Sequence, residues 1–256
     1  LYFSLLFVFF TFVVVCTLWF HAQSGHYQGD ATKCELTGSS VKVVSWSPRV
    51  LVYKNFITKA EAEYLMILGK DKLERSTIVS QAGDLSDHRT SSGAFVSTDG
   101  DPIIMGIEQR IAEWTLLPVE HGENFYILRY QQGEKYEQHY DCFPSDSPEI
   151  GNSGNRVKTL IIYLQKPEQG GETFFPRSDL SVDIEAGDAV LFYNIKPNGD
   201  RDIMSLHEGR PVTAGEKWIA TKWIREKPYE FSWYADQQRK YLEAHNRPMG
   251  AQAPPE

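Results

Sequence analysis

Hydrophobic and polar positions divide the chain into stretches of different character. Residues 1–20 (LYFSLLFVFFTFVVVCTLWF) are apolar on every face and carry no charge. At about 1.5 Å per residue, some 20 such residues match the roughly 30 Å hydrocarbon core of a bilayer. The segment is therefore expected to be a signal-anchor. A cleaved signal peptide, with Ala22 and Ser24 near the cut, is the alternative. The chain begins at Leu1 rather than Met, so the charges that set orientation are expected upstream. From His21 to Ser47 it turns polar and rich in Gly, Ser and Thr, which predicts a stem.

A folded domain is expected over residues 48–228. Thr58 with Glu61 three positions on forms a capping-box pattern ahead of Tyr64, Leu65 and Leu68. Asp101 with Pro102 opens a second helical pattern, through Ile103, Ile104, Ile107 and Ile111 to Trp114. The period then shortens. Residues 125–130, 136–143, 157–164, 189–193 and 217–225 are brief runs of β-branched and aromatic residues between turn formers, each predicting a strand. Two helices followed by many short strands imply a mostly β fold, a sandwich or barrel with helices packed outside. The polar stretches 80–92 and 144–155 read as long loops, of the kind that cover sites. Residues 229–256 are expected to hold a polar helix over 232–245 and then a disordered tail.

A length of 256 residues, 41% hydrophobic, suits one sizeable core rather than two enzyme domains. The net charge of −8 leaves no basic surplus for phosphates and argues against a nucleic-acid partner. Of three cysteines, Cys16 lies in the apolar run, which leaves Cys34 and Cys142 as the one pair that can meet in the lumen. No zinc spacing is present.

Candidate chemistry centres on His139 and Asp141, two positions apart in a strand-like run and so on one face. A metal held by two ligands from one strand needs a third, and His207 is the leading candidate. Two His and one carboxylate make a facial set with open positions that suits non-haem Fe(II). Ten positions on, the segment 215–223 alternates as a strand and puts Lys217, Ile219, Thr221 and Trp223 on one face, with Lys222 on the other. A lysine on an inward face needs an anion, because an unpaired buried ammonium is costly. A dicarboxylate would supply one.

Four ordered motifs carry a resemblance: Tyr-x-x-His-x-Asp (136–141), Gly-Gly-Glu-Thr-x-Phe-Pro (170–176), Gly-Asp-Ala-Val-Leu-Phe (187–192) and His-x-Gly-x-Pro-Val-x-x-Gly-x-Lys-Trp (207–218). Together they are similar to the prolyl 4-hydroxylases, above all the single-chain enzymes of plants, algae and large viruses. The resemblance covers roughly residues 48–228 and implies a double-stranded β-helix, or jelly roll. It implies that His139, Asp141 and His207 bind Fe(II), and that Lys217 pairs with 2-oxoglutarate, helped by Tyr136 and Thr173. Trp223 would line the site, and Arg156, Glu123 and Tyr130 would contact the peptide. Strict alternation faces Tyr136 away from His139, so a bulge is required there. The activity implied is hydroxylation of peptidyl proline to 4-hydroxyproline with O₂ and 2-oxoglutarate, giving succinate and CO₂. L-Ascorbate is implied as a further cofactor. The partner would be a proline-rich or collagen-like peptide, with no obligatory second subunit. With the apolar leader, the catalytic domain is expected in the lumen of the endoplasmic reticulum, anchored as a single-pass type II membrane protein.

Rival readings fit less well. Oxygen-sensing prolyl hydroxylases and lysyl hydroxylases use arginine at the position of Lys217, and a related halogenase would lack Asp141. A silent binding module for proline-rich peptides need not retain all of His139, Asp141, His207 and Lys217.

Overall fold

The computed structural model describes residues 40–76, 87–98, 100–182, 184–231 and 240. The apolar run 1–20, most of the stem, residues 80–86 of the first polar loop and, apart from Lys240, the helix expected over 232–245 lie outside the described residues. All that is described belongs to one unit, Gly38–Glu256. In chain order its elements are β1 (Ser40–Trp46), β2 (Arg49–Lys54), α1 (Lys59–Lys70), β3 (Glu74–Arg75), β4 (Ser92–Val96), α2 (Pro102–Thr115), β5 (Phe125–Tyr130), β6 (Tyr136–His139), β7 (Arg156–Gln165), β8 (Gln169–Gly170), β9 (Thr173–Phe175), β10 (Leu180–Ser181), β11 (Ala189–Tyr193), β12 (His207–Gly209), β13 (Val212–Ala214) and β14 (Lys217–Arg225).

Both helices start where their capping residues place them. The Thr58 hydroxyl accepts from the Glu61 amide while the Glu61 carboxylate accepts from the Thr58 amide, satisfying two donors at the head of α1. The Asp101 carboxylate accepts from the amides of Ile103 and Ile104, and Pro102 occupies the first turn of α2. α2 ends at Leu116 in a left-handed conformation, φ 56°. Gly69 lets α1 press onto the sheet, since a Cβ there would stand 2.8 Å from the Ile127 side chain.

The larger sheet runs β1-β2-β11-β7-β14-β5-β4-β3, its neighbours antiparallel. Its period-2 alternation feeds two cores. Leu160, Ile162, Leu191, Ala220 and Ile224 pack with Leu65, Ile104, Ile107 and Ile111 of the helices. On the opposite face Ile161, Tyr163, Val190, Phe192, Ile219 and Trp223 pack with Phe175 and Val182, on the side of a smaller sheet ordered β10-β9-β12-β6. β14, between β7 and β5, is buried along its whole length, as a central strand covered on both faces must be. This is the mostly β jelly roll with flanking helices that the sequence predicts.

Three expectations shift. Ser40–Trp46, assigned to the stem, is a strand paired from Ser40↔Lys54 to Trp46↔Arg49. It is an edge strand held by backbone bonds rather than burial, with Val41 and Val43 exposed, so its apolar alternation was too dilute to register. The strand expected over 136–143 stops at His139. The stretch 144–155 is no free loop: the Asn155 side chain exchanges two hydrogen bonds with the backbone of Phe143, and the Lys227 amide donates to the Ser153 carbonyl. Its anchors come from sequence-distant residues and leave no local trace.

Candidate active site

β6 and β12 are neighbours, and their register sets His207 directly across from His139. The next pair is Gly209 with Tyr136, three positions along β6 against two along β12. That extra residue is a β-bulge, which resets the alternation on β6. Tyr136 therefore lies on the same side as His139, their rings stacked at 3.6 Å with planes 16° apart. Asp141 lies past the strand end, so the shared-face argument from alternation does not hold for it. The turn nonetheless brings its carboxylate to 3.5 Å from His139 Nε2 and 3.6 Å from His207 Nε2.

Each imidazole is oriented by its own backbone. His139 Nδ1 lies 2.7 Å from the Glu137 carbonyl and His207 Nδ1 3.0 Å from the Ser205 carbonyl. A carbonyl only accepts, so both Nδ1 atoms carry hydrogen, and this fixes both rings with Nε2 turned toward Asp141. Burial, and then the neighbouring His139, draw the His207 pKa down to about 4, which favours neutral imidazole. Burial alone would raise the Asp141 carboxyl, but His207, His139 and a hydrogen bond from Thr159 outweigh it and hold the group well below the usual carboxylate range. Ligand atoms of the three residues lie within 4.8 Å of one another. Two Nε2 atoms and a carboxylate converging on one point fit a cation, and the donor set is that of non-haem Fe(II).

The same inner pocket is lined by Lys217, Thr173, Tyr130, Thr221 and Trp223. Lys217 is 1% exposed, donates from Nζ to the Gly171 carbonyl at 2.7 Å, and lies 4.8 and 5.2 Å from the ring centres of Tyr130 and Tyr163. Burial pulls its pKa down to about 7, with Glu172 opposing. An ammonium with, among the described residues, one neutral hydrogen-bond acceptor and two ring faces is suited to receive an anion. Beside it the Tyr163 and Thr173 hydroxyls are hydrogen-bonded at 2.8 Å, and burial pushes Tyr163 up to about 12.

Outside lies a cleft of about 740 Å³ walled by Phe95, Tyr126, Tyr136, Tyr140, Phe143, Arg156 and Trp223. Arg156 stacks at 3.8 Å on the Trp223 ring and 4.8 Å from Phe143. Glu123 holds it from behind, accepting from Nε and Nη2 at 2.7 and 2.8 Å. Two assignments to the peptide groove need correction. Glu123 is buried between Arg156 and Arg225, whose Nε donates to it at 2.6 Å, and does not line the cleft. Tyr130 is also buried, beside Lys217 in the inner pocket.

Several residues of the site carried no signal in the sequence. Arg89 lies over Tyr136 at 4.5 Å and Tyr126 at 5.1 Å. Arg225 donates from Nη1 to the carbonyls of Glu149 and Gly154 at 2.9 and 2.8 Å, tying 144–155 to the sheet. Thr159 was detectable in principle, as a polar residue on the face of β7 that otherwise shows Ile161 and Tyr163. Cys142 is a buried free thiol, and Cys34 lies outside the described residues.

Comparison with known proteins gives this geometry its context. A profile of the 2OG-Fe(II) oxygenase superfamily matches residues 125–225, from the start of β5 to the end of β14. "Probable prolyl 4-hydroxylase 10" of Arabidopsis thaliana is 42% identical over 212 residues, 74% of this chain and 73% of that protein. The chain belongs to the prolyl 4-hydroxylase family of 2OG-Fe(II) oxygenases. "Prolyl 4-hydroxylase 2" of the same plant is 40% identical over 216 residues, 75% of this chain and 72% of that protein. A solved viral collagen prolyl hydroxylase from Paramecium Bursaria Chlorella virus-1, in complex with 2OG, superposes with a TM-score of 0.56 at 26% identity, covering 69% of this chain and 95% of the other. The prolyl 4-hydroxylase motifs thus fall on β6, β9, β11, β12 and β14 in this chain.

Proposed function

We propose that this oxygenase hydroxylates C4 of proline in proline-rich or collagen-like peptides. One observation carries the reading: a two-His, one-Asp cluster and a buried lysine share one pocket, which opens into an aromatic cleft beside Arg156. His139, Asp141 and His207 would hold Fe(II), which supplies the oxidising chemistry: O₂ gives one oxygen atom to succinate and one to the proline hydroxyl, and CO₂ leaves. Lys217 would hold the distal carboxylate of 2-oxoglutarate, with the Thr173 and Tyr163 hydroxyls beside it and Tyr136 and Trp223 on the flanks. The burial of His207, Asp141 and Lys217 would limit the access of water to the reacting end once a peptide fills the cleft. Flat rings along the cleft suit proline faces on a polyproline II peptide, and Arg156, fixed by Glu123, would donate to a peptide carbonyl. The task left to the protein is to hold one C–H bond in place.

The family's enzymes motivate L-ascorbate as a further cofactor. Residues 1–20 motivate a lumenal domain on an endoplasmic reticulum anchor, with 21–39 as linker and 229–256 as an appended tail. No described helix is long and apolar enough to cross a membrane. Protease protection of microsome-inserted full chain tests that placement, and digestion of the whole chain from outside the vesicles would reverse it.

The reaction is tested by mass spectrometry of proline-rich, collagen-like and extensin-like peptides after incubation with protein, Fe(II), 2-oxoglutarate and ascorbate. Hydroxyproline formed by the unaltered chain and absent with His207→Ala is expected. Consumption of 2-oxoglutarate with no peptide modified would refute the assignment. Arg156→Ala should raise the peptide KM roughly tenfold or more and leave peptide-independent 2-oxoglutarate turnover intact; equal losses would remove Arg156 from the groove.

A further inference from the structure

A hydrogen-bonded chain of side chains runs from the core to Asp141. The Thr159 hydroxyl donates to Asp141 Oδ2 at 2.6 Å, and the Asn194 side-chain amide donates from Nδ2 to the Thr159 oxygen at 2.9 Å. Thr159 and Asn194 have no exposed surface. Thr159 sits on β7 where that strand is paired on both sides, with Phe192 and with Trp223. Asn194 follows β11 and is pinned by its backbone, its amide donating to the Val157 carbonyl and its carbonyl accepting from the Asp202 amide, each at 2.9 Å.

The direction of the chain is forced. A carboxylate only accepts, so the single hydroxyl hydrogen of Thr159 must go to Asp141. The threonine oxygen then has only lone pairs left, and Asn194 must present its NH₂ rather than its carbonyl oxygen. Asn194 Oδ1 is consequently buried with no partner among the described residues. An unpaired buried oxygen is a cost that a merely space-filling residue would not retain. Turning the amide over would satisfy nothing, because two acceptors would then compete for one hydrogen.

We propose that Thr159 and Asn194 are positioning residues that fix the plane of the Asp141 carboxylate and thereby set the protein's metal affinity. Neither touches the reacting atoms. The inference rests on reading His139, Asp141 and His207 as a metal site. Outer partners of this kind typically alter metal affinity about 10- to 100-fold.

The test is Co(II) binding to the metal-free full chain, followed by the ligand-field absorption of the ion, with thermal unfolding of each metal-free variant as the check on folding. Thr159→Val keeps the shape and removes the donor; it is expected to raise the Co(II) Kd about 10-fold or more and to change the band pattern. Thr159→Ser, which keeps the hydroxyl, should stay within about threefold of the unaltered chain. Asn194→Ala, which frees the hydroxyl to turn elsewhere, should weaken binding severalfold, and it carries the test should Thr159→Val not fold. Unchanged affinity in Thr159→Val or Asn194→Ala, while Asp141→Ala abolishes binding, overturns the proposal and leaves the metal site standing. Equal losses in Thr159→Ser and Thr159→Val overturn it too, since packing rather than the hydroxyl would then matter. Unimpaired Co(II) binding by Asp141→Ala would instead remove the site on which the inference stands.

Discussion

Lys217 is the residue whose setting has the sharpest chemical outcome. Burial brings its pKa to about 7, so in the free protein the ammonium is fully present below neutrality and is lost as pH rises through that value. A 2-oxoglutarate carboxylate favours the charged form, so above about pH 7 its binding must take up a proton. The KM for 2-oxoglutarate is therefore expected to climb up to about tenfold per pH unit above neutrality, with kcat at saturating cosubstrate far less affected. Lys217→Met should raise that KM by about 10- to 100-fold, the worth of a charge-assisted hydrogen bond, and should flatten its pH dependence. A KM still climbing with pH in the variant would place the titrating group elsewhere. At this scale the sequence was most informative about the residues that converge on the inner pocket, because few residue types suit iron or a diacid. It was least informative about Asn194 and Arg225, whose partners lie far along the chain.

Among elements, β14 does double duty through its two faces. Lys217, Thr221 and Trp223 line the site, while Lys222 on the other face donates to Glu108 of α2 at 2.6 Å, both side chains buried. Thr98 donates to the same carboxylate at 3.2 Å. Glu108→Ala would strand a buried ammonium and is expected to cost about 3–5 kcal/mol in denaturant unfolding. A loss under about 1 kcal/mol would show that Lys222 finds another partner or sheds its proton. The alternation over 217–223 foretold both directions correctly, as did the capping signals of α1 and α2. Alternation failed where an element is irregular. The bulge on β6 rescues Tyr136, a turn rather than a strand delivers Asp141, and the edge strand β1 has too little burial to write a hydrophobic pattern.

On the scale of the whole molecule, Arg225 links the cleft wall to the sheet. Its guanidinium joins Glu123, and hence Arg156, to the carbonyls of Glu149 and Gly154. Arg225→Ala should speed amide hydrogen exchange across 144–155 and raise the peptide KM, while leaving 2-oxoglutarate turnover without peptide unchanged. Exchange rates identical to those of the unaltered chain would show that Asn155 and Lys227 suffice to hold the segment. β6 spans four residues, Tyr136–His139, and lies at one side of its sheet, where among the described residues its outer partners are His88 and Arg89. Because His207 stands across from His139, a divalent ion gripping both rings would rivet that short border to its neighbour. A chelator would then do more than silence the enzyme: it would undo a seam, and the smaller sheet should fray at a lower temperature than the larger.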